Sequence, residues 1–398
     1  MTQQTGIERG QVPPEPSHTD PAIHRWLRGM RDHHPVYFDE AIQTWRVFRY
    51  EDVLRILTDP VVFSNDMPRV MPQQGFTRGN VAMMDPPQHS RVRALTSRAF
   101  TPRVVASLAP RVAEITNELL DAAEAKGDQV DIIAELAYPM PVTVIADLLG
   151  VPQSDQELFK GWADGMLSVK IGDIQTVEFV EAIERSQQEL SDYLLEQVAA
   201  KRLRPGDDLI SALIAAELDG SRLDDDEIAN FSGLLLMGGH VTTTLILGNA
   251  LLCLDEYPQV RDELRANLGL VPKFMEEVLR YRPVFIINAR VTNDEVVLRD
   301  QVIAKDTLVV SSLLSANHDE RQFADPERFD PHRESNPHLG FGHGIHYCMG
   351  APLGRMETRI ALEILFTRYP DLHVTPGTVP EFYETGLCGV KGLPVTLR

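Results

Sequence analysis

Apolar residues recur every three or four positions along most of the chain, a spacing typical of amphipathic helices. It predicts helices near 20–34, 50–58, 89–99, 103–125, 140–149, 155–168, 178–203, 207–217, 224–257, 259–266, 271–281 and 350–369. Shorter runs favour strands near 35–39, 44–48, 288–292, 295–298 and 308–312, with others near the C-terminus. The first two runs are separated by a short turn and predict a hairpin. The pattern therefore predicts a mainly helical protein with small β-sheets.

The length of the chain is sufficient for a large core and a buried cofactor, because 398 residues bury most of the surface that they expose when unfolded. No Ser/Gly linker, low-complexity tract or internal repeat divides the sequence, so we expect one domain over residues 1–398. Residues 1–21 are polar, contain four prolines and lack the apolar core of a signal peptide. We expect an extended N-terminal arm there.

The charge balance is strongly acidic, with 38 Lys and Arg against 58 Asp and Glu and a net charge of −20. Such a chain is poorly suited to nucleic acid or to an anionic membrane. The three cysteines, Cys253, Cys348 and Cys388, are too few and too scattered for a disulfide framework. A reducing cytoplasmic location is the simplest interpretation.

One uncharged stretch, residues 231–254, is long enough to cross a membrane. It contains His240 and Asn249 and is flanked by acidic residues, whereas membrane spans are usually flanked by Lys and Arg. We interpret it as a buried core helix, with a membrane span as the alternative.

A short glycine-rich run, residues 341–350, contains Cys348 directly before a predicted helix. Glycine allows the backbone to approach a flat or bulky partner closely, and the N–H groups of a following helix stabilise a thiolate. The run could therefore present a charged sulfur to a metal. Two alternatives are a buried free cysteine and a zinc site formed by His343, His346 and Cys348, although a second cysteine pair at zinc-ribbon spacing is absent.

The long predicted helix carries Gly238, Gly239 and three threonines, 242–244, near its middle. Glycine costs about 1 kcal/mol in a helix relative to alanine, and threonine hydroxyls can bond back to the preceding turn and bend the helix. A local opening there could accept a small ligand such as O2. Close packing against another helix is the alternative explanation for the glycines.

Two charged pairs have helical spacing. Glu277 and Arg280 are three residues apart, and His89 and Arg93 are four apart. The second pair lies in a segment, 86–113, that has five arginines and no acidic residue, so it could bind carboxylates or an acidic partner protein. Solvated surface charges would explain both pairs equally well.

The run around Cys348 resembles the haem-ligand loop of the cytochrome P450 family, in which a Phe, spaced glycines, a basic residue and the Cys recur in this order. The matching residues are Phe341, Gly342, Gly344, His346, Cys348 and Gly350. The resemblance covers nearly the whole chain and implies the cytochrome P450 fold. It also implies that haem b is buried between the long central helix and the cysteine loop, with Cys348 as the iron ligand.

The resemblance assigns roles to other residues. Gly239 and Thr242 match the glycine and hydroxyl donor of the oxygen groove, with Gly238 beside the haem, but the usual acidic position is Val241 here. His89, Arg93, Arg290 and His346 are implied to bind the haem propionates. Glu277, Arg280 and Arg328 match a structural Glu-x-x-Arg set that is completed by a second arginine.

The implied function is that of a soluble bacterial haem-thiolate monooxygenase, which inserts one atom of O2 into a C–H or C=C bond of an apolar small molecule. Macrolide- and polyketide-tailoring hydroxylases are the most similar group, and electrons are expected from NAD(P)H through a ferredoxin reductase and a ferredoxin. The substrate-facing positions implied are Met84, Leu234, Val241, Val284, Phe285, Ile286, Ile287 and Leu387. A peroxygenase that uses H2O2 and a non-catalytic haem-binding ligand sensor remain alternatives.

Overall fold

The computed structural model describes residues 12, 15–70, 80–155, 157–159, 161–162, 177–383 and 386–398. In chain order its helices are α1 (Ala22–His33), α2 (Tyr50–Thr58), α3 (Gln88–Ala99), α4 (Pro102–Ser107), α5 (Ala109–Glu124), α6 (Pro139–Leu149), α7 (Val177–Leu203), α8 (Leu209–Ala215), α9 (Asp225–Glu256), α10 (Pro258–Ala266), α11 (Val271–Tyr281), α12 (Leu313–Asn317) and α13 (Ala351–Arg368). Its strands are β1 (Val36–Asp39), β2 (Thr44–Val47), β3 (Phe63–Ser64), β4 (Gln129–Asp131), β5 (Glu217–Leu218), β6 (Ser221–Arg222), β7 (Ile287–Thr292), β8 (Val296–Leu298), β9 (Gln301–Ile303), β10 (Leu308–Ser312), β11 (His373–Val374) and β12 (Pro394–Thr396).

The mainly helical prediction is confirmed, with local differences. The helix expected over 103–125 is two helices, α4 and α5, because Pro110 has no N–H to continue the hydrogen-bonding of the preceding helix. The short helix α12 was not predicted, since five residues are too few to show a period. Parts of the expected N-terminal arm and of the helix near 155–168 lie outside the described residues.

The largest sheet has five strands in the order β1-β2-β10-β7-β3. The predicted hairpin is present, with β1 antiparallel to β2 and Val36 opposite Val47. Strand β10 runs parallel to β2 and antiparallel to β7, so the chain reaches this sheet again after the helical half of the fold. One face of the sheet covers a separate apolar cluster that includes Val47 and Val309.

The central helix, α9, organises the main core. Its N-terminus has a capping box in which the Asp224 carboxylate accepts from the Glu227 N–H at 2.8 Å and Glu227 accepts from the Asp224 N–H at 3.1 Å. The helix has the length and composition of a membrane span, but 72% of its most apolar window is buried inside the protein. This burial favours the core-helix interpretation over the membrane-span alternative.

The cysteine loop, residues 341–350, connects to α13, and α13 packs against the central helix. The preceding segment is tied to α12, since the Leu339 N–H donates to Asn317 Oδ1 at 2.8 Å. The loop is therefore held opposite the central helix, and a cavity lies between them.

Candidate functional site

A cavity of about 460 Å³ separates the cysteine loop from the central helix. The loop wall consists of Phe341, Gly342, His343, His346, Tyr347, Cys348, Met349 and Gly350. The helix wall consists of Phe231, Leu234, Leu235, Gly238, Gly239, Thr242, Thr243 and Ile246. Residues between α11 and β7, and the turn at 81–83, close the sides. A mostly apolar cavity with few polar groups is the usual form of a cofactor or small-molecule site.

Glycines fix the course of the cysteine loop. Gly342 and Gly344 have φ values of +70° and +72°, a region in which only glycine is comfortable. A Cβ at Gly344 would also lie 2.7 Å from the carbonyl oxygen of Leu57, so the loop packs tightly on α2. The loop closes where the Cys348 N–H donates to the Phe341 carbonyl at 3.0 Å. These constraints place the sulfur at the cavity wall.

The ionisation of Cys348 is set by opposing influences. Burial raises the pKa of the thiol, whereas the N–H groups of Gly350 and Ala351 and the charges of Arg93 and Arg355 act in the lowering direction. The two N–H groups belong to the start of α13, as the sequence indicated. A thiolate here would therefore have hydrogen-bond donors on one side and the cavity on the other.

Three basic side chains, Arg93, Arg290 and His346, line the cavity, and a fourth, His89, contacts His346. The His89 and His346 rings are 4.3 Å apart, the Arg93 guanidinium donates to the Tyr347 carbonyl at 2.7 Å, and Arg290 is 4% exposed. Burial lowers the pKa of all four, to about 3 for His346, where His89, Arg290 and Arg93 add to the effect, and to about 10 for Arg290. Each would be easier to charge beside an anion.

These four groups fit the carboxylates of a haem. Both nitrogens of His89 and Nε2 of His346 are buried without a hydrogen-bond partner. Within the described chain, no carboxylate forms an ion pair with Arg93 or Arg290. The Arg290 guanidinium donates to the Ala289 carbonyl at 2.7 Å and to Asn288 Oδ1. Buried donors of this kind cost free energy unless an acceptor is supplied. The propionates of a haem at this edge would supply it, and Cys348 lies in the wall of the same cavity.

The two central-helix glycines differ in their surroundings. A Cβ at Gly238 would meet no atom within 4 Å, whereas one at Gly239 would lie 2.8 Å from Ile145 Cδ1. Gly238 is therefore open to the cavity, and the close-packing alternative explains Gly239, although both residues line the cavity. The Thr242 hydroxyl donates to the Gly238 carbonyl at 2.5 Å and borders the same space.

The Glu277–Arg280 pair is fully buried, with contacts of 2.7 and 2.8 Å. The prediction that Arg328 is the third member of this set is wrong. Its side chain is 70% exposed and lies 3.8 Å from Asp330. Arg333 occupies the expected place, with Nε 3.1 Å from Glu277 Oε1. The chain turns between the two arginines so that Arg328 contributes only its carbonyl, which accepts from Arg280 and Arg333.

This buried network reaches the cysteine loop through Asn317. The Arg280 guanidinium donates to the Asn317 carbonyl at 2.9 Å, and the Asn317 side chain accepts from Leu339. A second network holds the loop itself. Arg355 bonds Glu276 at 2.6 and 2.8 Å, donates to the Tyr347 hydroxyl at 3.0 Å and stacks on Phe341 at 4.5 Å.

The structure brings three of the eight expected substrate-facing residues, Leu234, Val284 and Phe285, to the cavity. The other five are not among the described residues that line the cavity, and these expectations are corrected. Met84 and Val241 are 6% and 9% exposed and pack into the main core. Ile286 packs with the cluster around Trp26, because it alternates with Phe285 along an extended segment. Ile287 lies against Gly386, and Leu387 pairs with Phe285 through the backbone.

Several site residues escaped the sequence analysis. Arg333 and Arg355 are separated from their acidic partners, Glu277 and Glu276, by more than fifty residues, so these pairs leave no local signal in the sequence. Glu357 also borders the cavity, and the sequence pattern could have indicated it. It is an acidic residue at a position of the apolar stripe on α13 between Leu353 and Ile360.

Two other sequence interpretations are not supported. In the part of the chain that the structure describes, no three His, Cys, Asp or Glu side chains lie close enough together to hold a metal ion, which excludes the zinc alternative there. The arginines near α3 are also less available than expected. Arg91 pairs with Glu227, Arg98 donates to the Glu217 carbonyl, and Arg111 bonds Asp147 and Glu114.

Comparisons with known proteins agree with this geometry. The cytochrome P450 family model matches residues 22–391. Cyclomarin C epoxidase CymV from Salinispora arenicola is 47% identical over 95% of this chain and 96% of its own length. Erythromycin C-12 hydroxylase from Saccharopolyspora erythraea is 41% identical over 94% of each chain. The open structure of cytochrome P450 EryK from S. erythraea superposes with a TM-score of 0.90 at 40% identity, covering 97% of this chain and 98% of EryK. The chain therefore belongs to the cytochrome P450 family and is an oxidoreductase of the monooxygenase type.

Proposed function

We propose that this protein is a haem-thiolate monooxygenase that carries haem b and epoxidises or hydroxylates an apolar secondary metabolite, such as a macrolide or another polyketide. One observation carries the proposal. Cys348 and Thr242 line opposite walls of one cavity whose edge holds basic groups without acid partners. When bound, the haem would supply the activation of O2 that amino-acid side chains cannot provide.

The residues that line the cavity would have different roles in binding the haem and in the reaction. Cys348 would supply the sulfur that binds the iron, and His89, Arg93, Arg290 and His346 would bind the propionates. Close approach of the ring would be permitted by Gly238, Gly342 and Gly350, and Phe341 lines the same cavity. The hydroxyl of Thr242, on Oγ1, holds a proton at the groove and can turn from the Gly238 carbonyl toward the cavity.

The substrate class follows from the lining and from the relatives. Leu234, Val284 and Phe285 offer apolar surface, and Asn65 and Asn288 are polar groups that could orient a ligand. The relative at 47% identity is an epoxidase and the one at 41% a hydroxylase. We therefore propose oxygen insertion into a C=C bond as the first activity to measure, and into a C–H bond as the second.

Electron supply is the part of the proposal that involves partners. Bacterial monooxygenases of this family use redox partners, O2 and a small molecule. We propose NAD(P)H, a ferredoxin reductase and a ferredoxin in the cytoplasm. Neither nucleic acid nor membrane is a proposed partner, because the net charge of −20 disfavours both.

The first experiment is the ferrous–CO difference spectrum of the purified, dithionite-reduced protein. A red-shifted Soret band is expected, because thiolate donates more electron density to the iron than neutral imidazole does. A band typical of histidine ligation, or no haem signal after reconstitution, would contradict the proposal.

The second experiment supplies substrates under two conditions, with NAD(P)H plus the ferredoxin system or with H2O2 alone. Product with the ferredoxin system is expected. Product with H2O2 alone would favour the peroxygenase alternative. Spin-state shifts without any product under either condition would favour a ligand sensor.

A further inference from the structure

Arg355 lies on α13, shortly after Cys348 in the sequence, and three contacts hold its side chain in one position. Its Nε and one terminal nitrogen lie 2.6 and 2.8 Å from the two carboxylate oxygens of Glu276, and the other terminal nitrogen donates to the Tyr347 hydroxyl at 3.0 Å. The guanidinium carbon lies 4.5 Å from the centre of the Phe341 ring. An arginine that served solubility alone would be free to move, because fixing such a side chain costs conformational entropy.

Glu276, on α11, is the anchor of this arginine. Its Oε2 also lies 3.0 Å from Nε2 of His338, a side chain that is almost fully buried. Burial acts to raise the pKa of the Glu276 carboxyl, but the hydrogen bonds from Arg355 and His338 outweigh it and lower this pKa to about 2. The acid is therefore ionised at neutral pH and keeps the positive charge of Arg355 beside the cysteine loop.

The charge of Arg355 reaches the sulfur of Cys348. Burial raises the pKa of the Cys348 thiol, and the charges of Arg93 and Arg355 act against this shift. Arg93 lines the cavity, where a haem propionate would neutralise it. Arg355 is not among the described residues that line the cavity, whereas Phe341, against which its guanidinium lies, is. The charge of Arg355 would therefore remain effective when the cavity is filled.

We propose that Arg355 is a positioning residue that acts through Cys348, and that its charge, opposed by that of Glu276, sets the reduction potential of the haem iron. The proposal rests on the proposed haem-thiolate function. Reduction adds one electron, and so one negative charge, to the site, while a reduced ferredoxin loses that electron. A fixed positive charge nearby stabilises the added negative charge. Arg355 therefore raises the potential, whereas Glu276 lowers it.

A purely structural role for the Arg355–Glu276 pair is the alternative, in which the pair only fastens the cysteine loop to α11. The two roles differ in the sign of their effects. A structural contact is lost in the same way when either partner is changed, so both changes would move the potential in the same direction or leave it unchanged. A charge effect gives shifts of opposite sign, because one partner is a cation and the other is an anion.

The test compares Arg355→Gln and Glu276→Gln with Arg359→Gln, a control on the same helix whose partner is Glu363. The midpoint potential of each haem-loaded protein is measured by spectroelectrochemical titration, which needs neither substrate nor turnover. We expect Arg355→Gln to lower the equilibrium constant for reduction about tenfold, which is a shift of about 59 mV to more negative potential. We expect Glu276→Gln to shift the potential in the positive direction and Arg359→Gln to leave it unchanged.

Arg355→Lys keeps the positive charge but not the fork of donors, and it should retain most of the wild-type potential. If Arg355→Gln does not fold or does not retain haem, the positive shift in Glu276→Gln carries the test. Shifts of the same sign in the two glutamine variants, or no shift in Glu276→Gln, with a normal ferrous–CO spectrum would overturn the role of Arg355 and leave the monooxygenase proposal intact. Absence of the thiolate spectrum from the wild type itself would instead overturn the monooxygenase proposal, and this proposal with it.

Discussion

The sulfur of Cys348 lies where burial disfavours charge while two helix N–H groups and two arginines favour it. A metal at the cavity would resolve this balance, because a coordinated thiol loses its proton. The same thiol type elsewhere is inert, since burial raises the pKa of Cys253 to about 12. Position in the loop, rather than the presence of a cysteine, therefore makes the candidate ligand.

Replacing the sulfur gives the first prediction. Cys348→Ala should abolish the thiolate-type ferrous–CO spectrum and the monooxygenation, because the sulfur that would bind the iron is removed. Cys253→Ala removes a buried thiol that is not among the described residues lining the cavity, and it should keep both properties. A thiolate spectrum that persists in Cys348→Ala would show that another residue binds the iron.

Thr242 gives a second prediction at the same scale, which depends on the proposed function. Thr242→Ala should release more H2O2 per NAD(P)H consumed and form less product, because proton-transfer groups contribute roughly 10²–10⁴-fold. Thr242→Ser keeps a hydroxyl at the groove and should retain most of the coupling. Equal coupling in all three proteins would remove Thr242 from the reaction.

At the scale of elements, the buried network at Glu277 joins α11 to the segment that precedes the cysteine loop. Arg280 and Arg333 satisfy the carboxylate and together bond the carbonyls of Asn317, Ala324, Asp325 and Arg328, among others. Removing one partner leaves buried charge and several carbonyls unsatisfied, which is costly.

The corrected position of the second arginine is directly testable. Arg333→Ala should lower the free energy of unfolding by about 1.5–3 kcal/mol, because its charge-assisted hydrogen bond to Glu277 is lost together with its bonds to three carbonyls. Arg328→Ala, the matched surface variant, should change it by less than about 0.5 kcal/mol, because its carbonyl bonds remain. Urea unfolding measures both. A larger effect of Arg328→Ala would contradict the assignment.

The two arginines also show what sequence could and could not predict at this scale. The Glu277–Arg280 pair was visible because three residues separate its members on one helix. The choice between Arg328 and Arg333 depends on the path of an irregular segment, and periodicity carries no information there. For the same reason the hairpin and the long helices were predicted well, while α12 was not.

At the scale of the whole molecule, the cavity lies between two apolar clusters. The main core surrounds the central helix, and a second cluster lies under the five-stranded sheet. Sequence placed Cys348, His89 and Thr242 on separate helices and loops, and the structure brings all three to one cavity region. It could not show which of the neighbouring residues at 284–287 face inward, because that choice follows from strand alternation and packing.

Removal of the cofactor should therefore destabilise the segments around the cavity more than the other parts of the fold. We expect the protein without haem to have a lower Tm, since ligand binding at 100 times its Kd stabilises a fold by about 2.7 kcal/mol. Hydrogen exchange should increase at 81–93, 284–290 and 339–350. Exchange in the small β11-β12-β4 sheet should change little. A uniform increase in hydrogen exchange across the chain would contradict this prediction, because it would show that loss of haem destabilises the whole fold equally.

The tight seat of Gly344 against Leu57 has a consequence for the evolution of this enzyme. At Gly344 the loop that would hold the iron has no room for an added atom, whereas one side of the cavity is formed by Val284 and Phe285 in a short extended segment. Mutations can accumulate in that segment without moving the sulfur. New substrates are thus accessible by drift at a few permissive positions, while the oxidising chemistry is inherited unchanged.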